Sequence, residues 1–251
     1  MIRNLNSVLS KLAEDYQIVR ELGQGGSSYV YLVSAHSNRQ LYAAKLYIDA
    51  QNGLHEAWIL QSIHHPMSPT YIQTVEVEDT ICLIMDYVEG TSLKEFCETE
   101  QLSTEQILLW YKQICYFFRY LHNLPNPICY LDLKPDNLIV MENKNLKLID
   151  YDAACFLKED VLRYGTKGYA PKEMFDNKEN IGFFSDVYTV GRLLDFLLKK
   201  RQHKYLYRPM EFKQISVLWL LKFLCQNDFF RKKLASEDFL IKLCNLAKSS
   251  S

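Results

Sequence analysis

Residues 130–152 read YLDLKPDNLIVMENKNLKLIDYD. Two aspartates, a lysine, a proline and an asparagine crowd its first eight positions between apolar neighbours. Lys-Pro-Asp-Asn is turn chemistry, so an ordinary loop is one reading. The stretch that follows, LIVMENKNLKLI (138–149), alternates in two short runs around Glu-Asn-Lys-Asn and reads as a β-hairpin. The ends of an antiparallel hairpin meet. That predicts Asn137 at its entry close to Asp150 at its exit, with Asp132 on the loop before. A converging Asp and Asn supply hard oxygen ligands suited to magnesium, which usually also binds phosphates. Asp132, outside that shell, is placed to accept a proton from a hydroxyl. Lys134 is placed to neutralise a phosphoryl group in transfer.

The flanking chain divides into two kinds of sequence. From 16 to about 85 it runs in short segments rich in Val, Ile and Tyr: YQIVREL, SYVYLVSAH, LYAAKLYI, YIQTVEVE and TICLIMDYV. These read as five strands, with a leading helix at 3–14 and one helix among them at 53–65. After Gly90 the period becomes helical. Ile107, Tyr111, Ile114, Phe118 and Leu121 recur on one face, and Ser103 with Gln106 resembles a capping box. Further helices are predicted at 185–199, 215–225 and 236–247. Strands first and helices later argue for an α+β, two-lobed chain and against a doubly wound sheet. The expected division is an N-lobe at 16–85, a hinge at 86–90 and a C-lobe at 91–251, all one domain.

Bulk composition excludes several classes. Of 251 residues, 48% are hydrophobic and 24% charged, which suits a globular chain with an ample core. Twenty-nine basic residues stand against 30 acidic ones, a net charge of −1, so no nucleic-acid footprint or anionic membrane surface is advertised. Seven cysteines are scattered in apolar company without a CxxC pair, as expected of buried thiols in a reducing compartment. The N-terminus lacks the apolar core of a secretory signal. The most apolar stretches are interrupted by Arg192, Asp195 and Lys222, so no membrane insertion is expected. These features predict a cytoplasmic protein. Oligomeric state is not legible.

YLDLKPDN followed by LIDYD resembles the catalytic loop and metal-binding motif of eukaryotic-type (Hanks-type) protein kinases, whose forms are HRDxKxxN and DFG. Other landmarks occur in the family's order. GQGGSSYV (23–30) resembles the glycine-rich loop and YAAK (42–45) the strand lysine motif. LIMDYVEGTSL resembles the hinge, GTKGYAPKE (165–173) the end of an activation segment, and SDVYTVG (185–191) the start of the helix whose Asp supports the catalytic loop. The match covers about residues 16–245, and the ordered set is far more specific than any one motif. The short length resembles a compact, bacterial type.

The resemblance implies a bilobal fold and an ATP-dependent protein serine/threonine kinase using magnesium, with manganese as an alternative. Its partners would be ATP and a protein bearing Ser or Thr, itself included. The backbone at Gly23, Gly25, Gly26 and Ser27 would cover the phosphates. Leu22, Val30, Ala43 and the gatekeeper Met85 would line the nucleotide, with Asp86, Tyr87 and Val88 facing adenine. Lys45, oriented by Glu56, would pair with the α- and β-phosphates. Asp132 would take the substrate proton, Lys134 would stabilise the γ-phosphoryl, and Asn137 with Asp150 would hold the metal. Thr166 would bridge Asp132 and Lys134, as in Ser/Thr kinases.

Departures from the family's pattern fall at four places. Ser28 replaces the third loop glycine, a residue with less backbone freedom. Tyr130-Leu131 replaces the His-Arg pair, and without that arginine no clasp remains for an activation-segment phosphate. The resemblance therefore implies an enzyme that needs no such phosphate. Asp152 replaces the glycine of DFG and brings a second carboxylate, which either supports the metal or repels ATP. Lys172 interrupts the usual APE, while Glu173 remains to pair with Arg231 or Lys233. These departures keep a nucleotide-binding pseudokinase scaffold as an alternative. A small-molecule kinase is a further one, disfavoured by GTKGYAPKE. Taken singly, the glycines also fit a hairpin turn, Lys45 a snorkelling lysine, and Asp186 a helix cap.

Overall fold

The computed structural model describes residues 2–25, 28–77, 80–157, 165–176, 180–201 and 209–234. The chain forms two compact units: Met1–Glu89 with Lys147–Asp152, and Gly90–Leu146 with Ala153–Ser251.

In the first unit, α1 (Ile2–Asp15) precedes strands β1 (Tyr16–Gln24), β2 (Ser28–Ala35) and β3 (Leu41–Tyr47). Helix α2 (Ala50–Gln61) follows, then β4 (Tyr71–Val77) and β5 (Thr80–Asp86). The strands make one antiparallel sheet in the order β1-β2-β3-β5-β4. The central β3 is buried from Ala43 to Tyr47, so its sequence reads as a near-continuous apolar run broken only by Lys45. On one side of the sheet, Val8 and Leu12 of α1 join Tyr16, Val33, Ala35, Ala44, Leu46, Cys82 and Ile84 in a single core.

Helix α2 begins and ends earlier than the 53–65 expected. Asp49 caps it by accepting the Gln51 amide at 2.9 Å, four residues before the glycine that looked like its start. Gly53 is instead interior. A Cβ there would lie 2.1 Å from Ile81 Cγ2 and 2.8 Å from the Tyr47 ring, so the glycine lets the helix settle onto β3 and β5. The helix stops ahead of His64-His65-Pro66, where His65 Nδ1 accepts the Met67 amide at 3.1 Å.

The second unit opens with β6 (Thr91–Ser92) and α3 (Leu93–Thr99), then α4 (Thr104–His122) and β7 (Ile128–Cys129). The short strands β8 (Leu138–Val140) and β9 (Leu146–Leu148) flank a tight turn in which the Met141 amide donates to the Asn145 carbonyl at 3.0 Å. Strand β10 (Cys155–Phe156) pairs with β7, and α5 (Phe183–Lys199), α6 (Pro209–Gln226) and α7 (Asp228–Leu234) complete the unit. The predicted α4 stripe of Ile107, Tyr111, Ile114, Phe118 and Leu121 is buried throughout. Ser103 accepts the Gln106 amide at its start. Helix α6 begins earlier than the 215 predicted, with Pro209 as its first residue, where a missing N–H costs nothing. Helix α7 was not foreseen. Asn227 starts it by accepting the Phe229 and Phe230 amides at 3.1 and 3.3 Å. The helix expected at 236–247 lies outside the described residues. An antiparallel β-sheet unit followed by a helical one is the α+β, bilobal protein-kinase-like class that the sequence predicts.

Candidate active site

In the first unit, Lys45 sits mid-β3, in register with Val30 of β2 and Leu83 of β5. A lysine enclosed there needs partners. Its ammonium has three N–H donors, and all three meet carboxylates. They reach Glu56 Oε2 at 2.8 Å, Asp150 Oδ1 at 2.6 Å and Asp152 Oδ1 at 2.8 Å. Burial works against the charge, but Glu56, Asp150 and Asp152 outweigh it and hold the ammonium well above its usual range. Glu56 comes from α2 and is wholly enclosed; its other oxygen accepts the Tyr151 amide at 3.0 Å. One carboxylate therefore ties β3 to the 150–152 segment. The Tyr151 hydroxyl adds a bond to Ser68 Oγ at 2.8 Å, and the Leu148 amide donates to the Met67 carbonyl at 2.7 Å. These bonds explain why Lys147–Asp152 groups with the strands, although the sequence reading placed it with the helices.

Glu56, Asp150 and Asp152 present oxygens within 4.8 Å of one another. The Lys45 ammonium already sits among them. Asp150 and Asp152, with 35% and 26% of their side chains exposed against none for Glu56, are the members a hydrated cation can reach, and Asp150 is the more open. Asp150 holds φ 65, the left-handed region that Asp tolerates.

The expected nucleotide residues line the same sheet. Leu22 and Gly23 are the last residues of β1 before Gln24, and the Gly25 amide donates to the Ser28 carbonyl at 2.8 Å, closing the turn into β2. Gly26 and Ser27 lie outside the described residues. Ala43 pairs across the ladder with Met85, and both are buried. Asp86 is held by two hydrogen bonds with Thr70: its amide donates to the Thr70 carbonyl at 3.0 Å and its carboxylate accepts the Thr70 amide at 3.2 Å. Tyr87 and Val88 follow, half-buried.

In the second unit, side chains converge on Asp132. Thr166 donates its hydroxyl to Asp132 Oδ1 at 2.7 Å, and Lys134 Nζ meets Oδ2 at 2.6 Å and Thr166 Oγ1 at 3.1 Å. Asn137 Nδ2 donates to Oδ2 at 3.0 Å and to the Asp132 carbonyl at 3.1 Å. Both partners of that amide are acceptors, which fixes the orientation of the Asn137 amide and directs its carbonyl oxygen elsewhere. The loop is anchored from α5. Asp186, fully buried, accepts the Tyr130 amide at 3.0 Å, the Leu131 amide at 2.8 Å and His122 Nε2 at 2.8 Å. Asp186 lies inside α5 and acts as this clamp; the helix's N-cap is Gly182.

The sequence model of the family described as "Protein kinase domain" matches residues 16–239. The chain belongs to the protein kinase domain family. It is 27% identical to the serine/threonine-protein kinase Nek3 of Mus musculus over 72% of this chain and 37% of that protein. It is also 27% identical to CBL-interacting protein kinase 10 of Oryza sativa subsp. japonica, over 91% of this chain and 51% of the relative. To the serine/threonine-protein kinase PknG of Mycobacterium leprae (strain TN) it is 29% identical, over 78% and 27%. The chain thus spans about half or less of the length of these relatives. Use of ATP and a divalent cation goes with the kinase family.

In this protein kinase domain the departures have physical explanations. Ser28 opens β2 opposite Tyr47 and has no positive φ, so the freedom of a glycine is not needed. Leu131, where the family carries arginine, is buried among Cys129, Cys155, Ala170 and Met174, with Leu157, Ile181 and Phe183 against them. Lys172 points to solvent and pairs with Asp228 at 3.0 Å. Glu173 is wholly buried and takes a two-pronged bond from Arg231, at 2.5 and 2.9 Å; Arg231 also reaches Asp228 at 2.7 Å. Of the two partners offered by the sequence, Arg231 makes the pair; the Lys233 side chain lies outside the described residues. Asp152, whose second charge had no assigned direction, turns toward β3. Its Oδ1 accepts both Lys45 and the Tyr47 hydroxyl, the latter at 2.5 Å. Tyr47 and His122 carried no recognisable motif signal, because each is defined by partners far along the chain.

Proposed function

We propose that this protein kinase domain is an ATP- and magnesium-dependent serine/threonine kinase. The observation that carries the reading is the triangle of Asp132, Lys134 and Thr166. The acceptor hydroxyl would lose its proton to Asp132 as its oxygen forms a bond to the γ-phosphorus and the bond to ADP breaks. Thr166 and Asn137 hold the Asp132 carboxylate for that transfer, and Lys134 offsets charge on the phosphoryl oxygens. Lys45, fixed by Glu56, would hold the α- and β-phosphates. The hard oxygens of Asp150 and Asn137 suit magnesium, which supplies positive charge to the phosphates. Leu22, Gly23, Gly25, Val30, Ala43, Met85, Asp86, Tyr87 and Val88 would line the nucleotide.

The enzyme works without a phosphate on the activation segment. Support comes from Leu131, which meets Ala170 and Met174 through apolar packing where a phosphate clasp would need an arginine. A cytoplasmic setting suits Cys82, Cys97, Cys115, Cys129, Cys155 and Cys225, all buried thiols outside disulfides. No helix among the described residues is long and apolar enough to cross a membrane.

Incubation with radiolabelled ATP, magnesium, a generic Ser/Thr protein substrate and the enzyme alone tests the reading. Transfer above an Asp132→Asn control is expected. A nucleotide-binding pseudokinase is the second reading, favoured by the extra Asp152 carboxylate on Lys45. A raised melting temperature with ATP and magnesium, without transfer, would select it.

A further inference from the structure

The Asp152 carboxylate, by its charge alone, could either recruit a cation or repel a nucleotide. Its contacts give it a third role. Oδ1 accepts from Lys45 at 2.8 Å and from the Tyr47 hydroxyl at 2.5 Å, both on β3. Tyr47 is fully buried, and its ring lies under the Lys45 ammonium, 5.2 Å from centroid to Nζ. Gly53 gives that ring its room, since a Cβ there would lie 2.8 Å from Tyr47 Cδ2. The tyrosine is therefore a fixed post, and Asp152 is fastened to it. Two residues upstream, Asp150 sits at φ 65 with its own oxygen on Lys45. Between them the Tyr151 amide donates to Glu56. The 150–152 segment is thus held at three successive residues.

We propose that Tyr47 and Asp152 form a latch that holds Asp150 facing Lys45, making Tyr47 and Asp152 positioning residues for the phosphoryl transfer proposed above, on which this inference rests. Where a glycine in place of Asp152 would leave the segment free to turn, the latch fixes it before nucleotide arrives. Losing the latch lowers the fraction of molecules with Asp150 in place. Apparent affinity for magnesium-nucleotide falls by that fraction, while saturating nucleotide recovers the competent state. The latch therefore acts on KM for ATP, with kcat preserved.

The test compares wild type with Tyr47→Phe, Asp152→Ala and the double variant. Tyr47→Phe keeps the buried ring and removes one hydroxyl. A hydrogen bond to a charged group supports a rise in KM of about tenfold in each single variant. The double variant should show the same rise as Asp152→Ala alone, because Tyr47→Phe removes only a bond that Asp152→Ala, which also loses the Lys45 bond, has already broken. Asp152→Asn, which still accepts the Tyr47 hydroxyl, should recover part of the loss. A merely structural role would lower the active fraction, and hence kcat, at constant KM. An unchanged KM in Tyr47→Phe, or single effects that multiply, overturns the latch. Amide hydrogen exchange over 147–155 gives a readout without turnover: faster exchange of the Tyr151 amide in Tyr47→Phe is expected, and unchanged exchange contradicts the proposal. If wild type transfers no phosphate, the kinase reading fails and the exchange measurement alone decides the latch.

Discussion

Leu131 shows how one substitution redirects a local design. It has a positive φ of 68, is 1% exposed, and packs with Ala170 and Met174. Restoring the family's residue with Leu131→Arg would bury a guanidinium among apolar side chains. Breaking the rule that buried charges are paired costs about 3–5 kcal/mol. A melting temperature well below wild type is expected, with no gain in activity after phosphorylation by an added kinase. A variant as stable as wild type would contradict the packing account. That residue 131 cannot itself clasp a phosphate was legible from its identity, because arginine and leucine differ in kind. The apolar plug was not, because Met174 looks like any hydrophobic residue until the short 3₁₀ turn at Lys172–Met174 brings it in. Asp152 was likewise unreadable: its partner Tyr47 lies 105 residues earlier.

Helix α5 positions chemistry without touching it. Asp186 gathers the Tyr130 and Leu131 amides and His122, whose ring stacks on Phe183 at 4.1 Å. Asp186→Ala leaves those donors without an acceptor, at about 1–3 kcal/mol for each buried group. Thermal unfolding should show a loss of about 3 kcal/mol or more, and transfer should fall because the Asp132 loop loses its anchor. Unchanged stability would show that the clamp is dispensable. Elements with a strong signal were legible: the α4 stripe follows from helical spacing, and the five strands from short segments rich in Val, Ile and Tyr. Helix ends were less so. Gly53 looked like a boundary, yet close packing against Ile81 makes it interior. Helix α7 is only seven residues long and has too few positions to display a period.

At the scale of the molecule, strands-then-helices was readable because each unit is built mostly from contiguous chain. The exception is Lys147–Asp152, whose place with the strands depends on Lys45, Glu56, Met67 and Ser68. Acid stability should follow the carboxyls of the second unit. Burial alone would raise Glu173, Asp195 and Asp228, but bonds from Arg231 to Glu173 and Asp228, and from Lys222 to Asp195, hold all three below the usual range. A depressed folded pKa gives stability that is complete above the ordinary carboxylate pKa, about 4, and is lost as pH falls through the folded value. Urea midpoints should be flat near neutrality and drop below about pH 4. Glu173→Gln, which breaks a buried pair, should lower the unfolding free energy at neutral pH by about 3 kcal/mol and flatten the acid drop. A steep acid drop retained in that variant would place the titration elsewhere. The central claim, that Asp132 is the proton acceptor for an attacking hydroxyl, is tested most directly by the single-turnover rate of γ-phosphoryl transfer to a serine substrate at saturating ATP and magnesium. Asp132→Asn should slow that step by about 10²–10⁴-fold with nucleotide affinity unchanged. Transfer at the wild-type rate would contradict the account.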